Sequence, residues 1–221
     1  MSTTDTELER IVQYRNENPN ELTGEKLQLL EEEIRLPKEK TISDDYFDFK
    51  LWCRGYPSRQ EAFAEYIDQV LPIEKSQSVL EVGGGRIGRV SRMLAGRGYQ
   101  MTCMDPKLEV SDGERNRERC AGRFRAVKES FDYCKTSLAG YDWVVAQEPC
   151  DATEHVIRAC LEQNVPFFMT LCGVPHRLLS GEMPESVWDW YRYLENCDRE
   201  RTGFELINLY TIARVAVIYS R

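Results

Sequence analysis

Histidine is almost missing from this sequence, with two residues in 221, and none of its eight cysteines pairs with another as C-x-x-C. Structural zinc sites are built from such pairs and from histidines, so no metal is expected. The thiols read as small buried side chains in a reducing, cytoplasmic setting. Basic residues are in deficit as well: 29 Lys and Arg face 37 Asp and Glu, a net charge of −8. That balance speaks against a surface wrapped in nucleic acid, so RNA is a partner that the charge does not favour and a small molecule is preferred. No apolar run approaches the roughly 20 residues of a membrane span, so no membrane partner is expected. The opening MSTTDTELER is polar and acidic, unlike a secretory signal. The 42% hydrophobic share is ordinary for a folded domain, and the length suits one α/β domain with an extension or two small domains. Nothing in these numbers sets an oligomeric state.

Two regions follow from the periodicity. Residues 1–75 read as a helical N-terminal cap without strand signals, in which Leu27, Leu30 and Ile34 form an apolar stripe that stops near Pro37. Ser58 to Glu61 spells a capping box, and Phe63, Tyr66, Ile67 and Val70 recur at helical spacing behind it. The aromatic connector DDYFDFKLWCRGYP, Asp44 to Pro57, reads either as packing for the cap or as a lid over a pocket. Residues 76–221 alternate strands with helices. Val79–Val82, Gln100–Asp105, Phe124–Val127, Trp143–Ala146 and Pro166–Cys172 are the expected strands. Helices are expected after the glycines, through Ile87, Val90, Met93 and Leu94, over Ala152–Gln163, and near Glu185–Leu194. This order implies a parallel sheet with right-handed crossovers and a ligand beyond the carboxyl ends of the strands. The closing GFELINLYTIARVAVIYSR holds two strands with almost no room between them, which predicts an antiparallel hairpin.

The stretch SVLEVGGGRIGRVSR, Ser78 to Arg92, ends the first strand in bare backbone. Glycines there let amides approach a ligand that a Cβ would hold off. Gly83, Gly85 and Gly88 spell G-x-G-x-x-G, the dinucleotide fingerprint, which needs a helix N-terminus aimed at a pyrophosphate. Glu81, Gly83 and Gly85 equally spell E-x-G-x-G. Asp105, at the end of the second strand, suits ribose hydroxyls in either reading and separates nothing.

VLEVGGGRIG, the acid of CMDP, YDWVVAQEP and the closing FELINLYTIARVAVIY together resemble class I S-adenosylmethionine-dependent methyltransferases. The resemblance implies a Rossmann-like, seven-stranded, mostly parallel sheet with a C-terminal antiparallel strand, and S-adenosyl-L-methionine as cofactor. Glu81 and the backbone at Gly83, Gly84 and Gly85 would meet the cofactor, and Glu81 would answer its ammonium group. Asp105 would hold its ribose, and Glu129 or Ser130, after the third strand, its adenine. Gln147 and Glu148, leaving the fourth strand, would stand over the methyl group. Gln147 would serve both cofactor and chemistry, and Glu148 would orient or deprotonate the acceptor.

QEPCDATEHVIRACLEQNVPFFMTLCGVPHRLL is similar to a narrower set of methyltransferase domains with a histidine-x-Cys-Asp motif followed by Ala-Thr-Asp. Cys150, Asp151, Ala152, Thr153, Glu154, Cys172 and His176 match it. Glu148 replaces its histidine and Gly173 one of its paired cysteines, while Ile87 stands where the methyltransferase loop has its third glycine. The implied activity is methyl transfer to an unidentified acceptor. Two other classes stay open: a non-catalytic binding or regulatory protein of the same fold, and an NAD-dependent oxidoreductase resting on G-x-G-x-x-G alone. Outside these motifs, His155 reads as a solvent-facing helix residue. The basic run Arg115 to Lys128, interleaved with Glu114 and Glu118, reads as a charged face more readily than as a phosphate or RNA contact.

Overall fold

The computed structural model describes residues 59–109, 122–171, 177–179, 183–197, 202–207 and 215–220. The connector Asp44–Pro57, the basic residues Arg115 and Arg119, and Cys172, Gly173 and His176 lie outside the described residues. So do the expected helix ending near Pro37 and the capping residue Ser58.

The described elements run α1 (Arg59–Gln69), β1 (Ser78–Val82), α2 (Arg89–Gly96), β2 (Gln100–Met104), β3 (Phe124–Val127) and β4 (Trp143–Gln147). After these come a 3-10 turn (Cys150–Ala152), α3 (Thr153–Glu162), β5 (Phe167–Thr170), α4 (Val187–Glu195), β6 (Thr202–Ile207) and β7 (Val215–Ser220). Strands β3-β2-β1-β4-β5 form a parallel sheet with β1 at its centre. Beyond β5 the direction reverses: β7 pairs antiparallel with β5, and β6 pairs antiparallel with β7.

Each strand of the parallel sheet splits its side chains between two cores, as a period of two requires. Leu80, Val82, Val144, Ala146, Phe167 and Met169 face α3 and α4, where Val156, Ile157, Cys160, Trp190 and Leu194 close over them. Val79, Met101, Val145 and Phe168 face α1 and α2, against Phe63, Ile67, Val90 and Leu94. The result is a three-layer sandwich with short apolar strands at its middle.

α1 belongs to this sandwich. Phe63 and Tyr66 both stack on the Phe168 ring, with centroids 5.0 and 5.1 Å away. The compact unit that contains the sheet therefore starts at Gln60, the other unit being Met1–Arg59, whereas a boundary at 75/76 was expected from the strand pattern. The reason is that α1's apolar face, through Phe63 and Ile67, packs in one cluster with the strands and α2. Val70, expected on that face, falls one residue past the helix end and is 58% exposed. The strand and helix limits otherwise move by no more than a few residues from those expected. No described helix is long and apolar enough to cross a membrane.

Phe63 is fully buried, so Phe63→Ala should cost about 3–5 kcal/mol by loss of transfer energy and a residual cavity. A denaturant titration followed by circular dichroism measures this; a loss below about 1 kcal/mol would mean that α1 is not part of the core.

Candidate active site

The order β3-β2-β1-β4-β5 reverses between β1 and β4, and ligands of open α/β sheets bind in the crevice at such a point, beyond the carboxyl ends of the strands. The glycine turn leaves β1 there. Gly83 donates its amide to Met104 O at 3.0 Å, which extends the β1–β2 ladder by one step. Gly83, Gly85 and Gly88 all have left-handed backbone, at φ of 78°, 69° and 59°.

The glycines have different neighbours. A Cβ at Gly83 would come within 3.1 Å of Pro149, at the exit of β4. A Cβ at Gly84 would collide with Cys103 Sγ and approach Glu81 Oε2 to 2.9 Å. At Gly88 it would meet Cys103 Sγ at 3.0 Å. At Gly85 it would meet nothing within 4 Å. Three of these glycines make room for the protein itself, and Gly85 alone among them faces open space.

Gly88 is the N-cap of α2 and has no side chain to cap with. Glu81 supplies the missing acceptor. Its Oε2 accepts the Ser91 amide at 2.9 Å and the Ser91 hydroxyl in a short hydrogen bond. Ser91 stands three residues into α2, so the carboxylate satisfies an orphan helix amide and faces the positive end of the helix dipole. Glu81 is 1% exposed. Burial raises its carboxyl above the ordinary 4.5; the Ser91 and Cys103 bonds oppose that, and the neighbouring Asp105 charge adds to it. Burial and the same two carboxylates push the Cys103 thiol up strongly, so it stays a neutral thiol.

Asp105 is the second carboxylate of the turn. Its Oδ2 accepts Gly85 N–H at 2.9 Å and its Oδ1 accepts Lys107 N–H at 2.7 Å. It is 9% exposed. The side chain thus locks the turn after β1 to the turn after β2.

At the exit of β4, Gln147 is half-buried beside Thr170 of β5. Glu148 donates its amide to Thr170 O at 3.0 Å, and both Glu148 and Cys150 have left-handed backbone, at φ of 47° and 51°. Non-glycine residues held in that region carry about 1–3 kcal/mol of strain each, and such strain clusters at functional sites. The structure therefore brings Gln147, Glu148 and Pro149 beside Gly83, while Asp105 joins the turn through Gly85. Glu129 and Ser130 are exposed after β3, two strands from β1.

The Cys-Asp-Ala-Thr-Glu segment is arranged for structure. Cys150–Ala152 forms the 3-10 turn, and Thr153 Oγ1 donates to Cys150 O at 2.7 Å. Glu154, 2% exposed, accepts from Arg158 Nε at 2.8 Å, from the Tyr193 hydroxyl at 2.6 Å and from Leu179 N–H at 2.8 Å. It ties α3 to α4 and to the segment beyond β5. His155, expected to face solvent, is half-buried: its Nδ1 accepts Tyr133 N–H at 3.3 Å, because the β3–β4 connection folds back over α3.

Ser91 and Cys103 are the residues of this site that sequence reasoning missed. Ser91 lies in an ordinary helical pattern, and Cys103 is one apolar residue among others in β2. Only their pairing with Glu81 and Gly84 gives them a role.

No family model and no curated protein matches this chain. Solved structures do. An assigned O-methyltransferase of Nostoc punctiforme is 13% identical, covering 79% of this chain and 59% of that one, with a TM-score of 0.50. The tRNA (uracil-54, C5)-methyltransferase of Pyrococcus abyssi, solved with S-adenosyl-L-homocysteine, is 13% identical over 74% of this chain and 37% of that one, at a TM-score of 0.47. The magnesium protoporphyrin IX methyltransferase of Synechocystis, also solved with S-adenosyl-L-homocysteine, is 13% identical over 83% and 90%, at 0.48. The chain thus spans less than two thirds of the length of the first two. What the Nostoc likeness establishes is a shared fold, the Rossmann-like α/β architecture of class I methyltransferases.

Two measurements check the turn. Gly84→Ala should cost about 1–3 kcal/mol by overpacking, and Cys103→Ala in the same chain should restore part of it. Because the Glu81 carboxyl is raised on folding, the native state binds more protons than the unfolded chain above pH 4.5. Stability should then fall as pH rises from 4.5 through the raised value. Glu81→Gln, which keeps an acceptor for Ser91 but cannot ionise, should flatten that stretch of the stability profile. A wild-type profile that rises there would contradict the buried, proton-binding carboxyl.

Proposed function

We propose that the chain is an S-adenosyl-L-methionine-dependent methyltransferase acting on a small-molecule acceptor. The observation that carries this reading is the placement of Glu81. A dinucleotide needs the amides at the start of α2 for its pyrophosphate. Here a buried carboxylate already takes the Ser91 amide. A pyrophosphate brought to that helix end would find the amide already taken and the acidic side chains of Glu81 and Asp105 beside it. A cationic, phosphate-free ligand meets no such conflict, so the geometry favours S-adenosyl-L-methionine over NAD. The antiparallel pairing of β7 with β5 and of β6 with β7 is in keeping with the same choice.

One feature of the turn fits this cofactor: the Gly85 backbone is bare and open. The cofactor would lie across Gly83–Gly85, with Asp105 accepting from its ribose while it still holds Gly85 and Lys107, since a carboxylate offers about four acceptor positions. When bound, it supplies an electrophilic methyl group for in-line displacement. The chain's part is to hold the acceptor in line and exclude water, which does not require a dedicated nucleophile. Glu148 and Gln147, at the exit of β4, would orient the acceptor, and Glu148 would take its proton.

Calorimetry should show S-adenosyl-L-homocysteine binding at about micromolar strength, near 8 kcal/mol, with no comparable binding of NAD. The reverse outcome would overturn the assignment. Gly85→Ala should cost only the about 1–2 kcal/mol of its left-handed backbone yet remove cofactor binding, whereas Gly88→Ala should cost more stability and leave binding intact in the folded protein. Glu148→Gln should lower turnover of a methyl acceptor at least about tenfold without changing cofactor affinity. Cofactor binding without turnover on any acceptor class would favour a binding or regulatory protein.

A further inference from the structure

A cavity of about 400 Å³ opens at the other end of the sheet, among the amino ends of β1, β2 and β3. It is separate from the glycine turn, which lies at the carboxyl ends. Its origin is topological. The β3–β4 connection, residues 128–142, contains no helix, so no described helix from it lies over the amino halves of β2 and β3. Thr102 and Arg125 are register partners there, and alternation puts Gln100 and Arg123 on the same face. All four line the cavity, as does Tyr141.

The lining is polar and positively charged. None of the ion pairs among the described residues includes Arg123 or Arg125. Asp142, which follows the wall residue Tyr141, has its Oδ2 engaged by the Ser78 amide at 2.8 Å. Two more features leave backbone facing the space. Gly122 and Gly140 both line the cavity with left-handed backbone, and a Cβ on either would meet nothing within 4 Å. In a chain with a net charge of −8, two uncompensated guanidiniums beside a hydroxyl, an amide and bare peptide groups make a local anion site.

We propose that this groove binds a phosphate-bearing small molecule, with Arg123 and Arg125 on the phosphate, the Thr102 hydroxyl and Gln100 amide as further partners, and the Tyr141 ring against the body of the ligand. Guanidinium forks match phosphate oxygens in pairs. The volume is in the range of small-ligand sites, about 300–1,000 Å³, and too small to enclose a folded nucleic acid. The inference does not rest on the methyltransferase reading, because the groove shares no residue with the glycine turn.

The probe is uridine monophosphate, titrated into the full chain by calorimetry with S-adenosyl-L-homocysteine in excess, so that the turn after β1 is not the site being read. Uridine without its phosphate and a short single-stranded RNA are the parallel arms. Uridine monophosphate should bind, should weaken as salt is raised, and should bind at least about tenfold more tightly than uridine. Arg123→Gln with Arg125→Gln should remove that preference while S-adenosyl-L-homocysteine affinity stays unchanged. Arg125 is exposed, so Arg125→Gln alone, with its circular dichroism spectrum checked, separates loss of binding from loss of fold. Equal binding of uridine, undiminished binding by the variants, or no nucleotide binding would each overturn the site. Tight RNA binding with none of the mononucleotide would overturn it too and would make the partner a nucleic acid.

Discussion

The structure around β1 depends on one buried carboxylate. Glu81 lies at the end of the central strand, nearly inaccessible, with its Oε2 on the Ser91 amide and hydroxyl. Burying a charge without partners is costly, and burying it at a helix N-terminus offsets much of that cost. The bond fixes where α2 starts, and α2 then places Val90 and Leu94 on the sheet. It also dictates Gly84, since only a residue without a Cβ lets Glu81 and Cys103 meet beneath the turn. The acid thus serves the helix, while the Gly85 backbone faces open space.

The same economy recurs in two other acids. Asp105 holds the turn after β1 to the turn after β2, and Glu154 holds α3 to α4 and to Leu179. Three carboxylates of an acidic chain are therefore structural connectors at loop and helix junctions. Each takes backbone amides that would otherwise be orphaned, and satisfying such groups is worth more than the bond's modest net contribution suggests. The carboxyl end of the sheet is accordingly rich in acidic side chains. Arg123 and Arg125, in no ion pair among the described residues, stand at its amino end. Acidic side chains thus gather at one end of the sheet and two arginines at the other.

Much of this was legible in the chain itself. Alternating apolar runs gave five parallel strands and the helices between them, because strand and helix periods are local properties that survive in any context. Glycine spacing marked the turn, since left-handed backbone at Gly83, Gly85 and Gly88 demands that residue. The acid at Asp105 followed from the strand's end. What the periodicity misjudged was affiliation. α1 reads as part of a separate cap because its own pattern says only that one face is apolar; that the face meets Phe168 is a fact about the sheet.

Residue roles were decided by tertiary structure, for the same reason. Glu81 and Ser91 are separated by a turn whose path no local rule gives, so the sequence marked the acid but not its partner. Gly83 and Gly84 look alike in GGG, yet one clears Pro149 and the other Cys103. His155 and Glu154 sit on a helix that reads as amphipathic, and their partners Tyr133 and Tyr193 come from distant segments. The groove among β1, β2 and β3 left no trace in composition, because it exists only where a crossover lacks a helix. Sequence determined the elements and the position of the turn, which depend on neighbours in the chain. Burial, charge compensation and open space depend on neighbours in space, and only the fold supplied those.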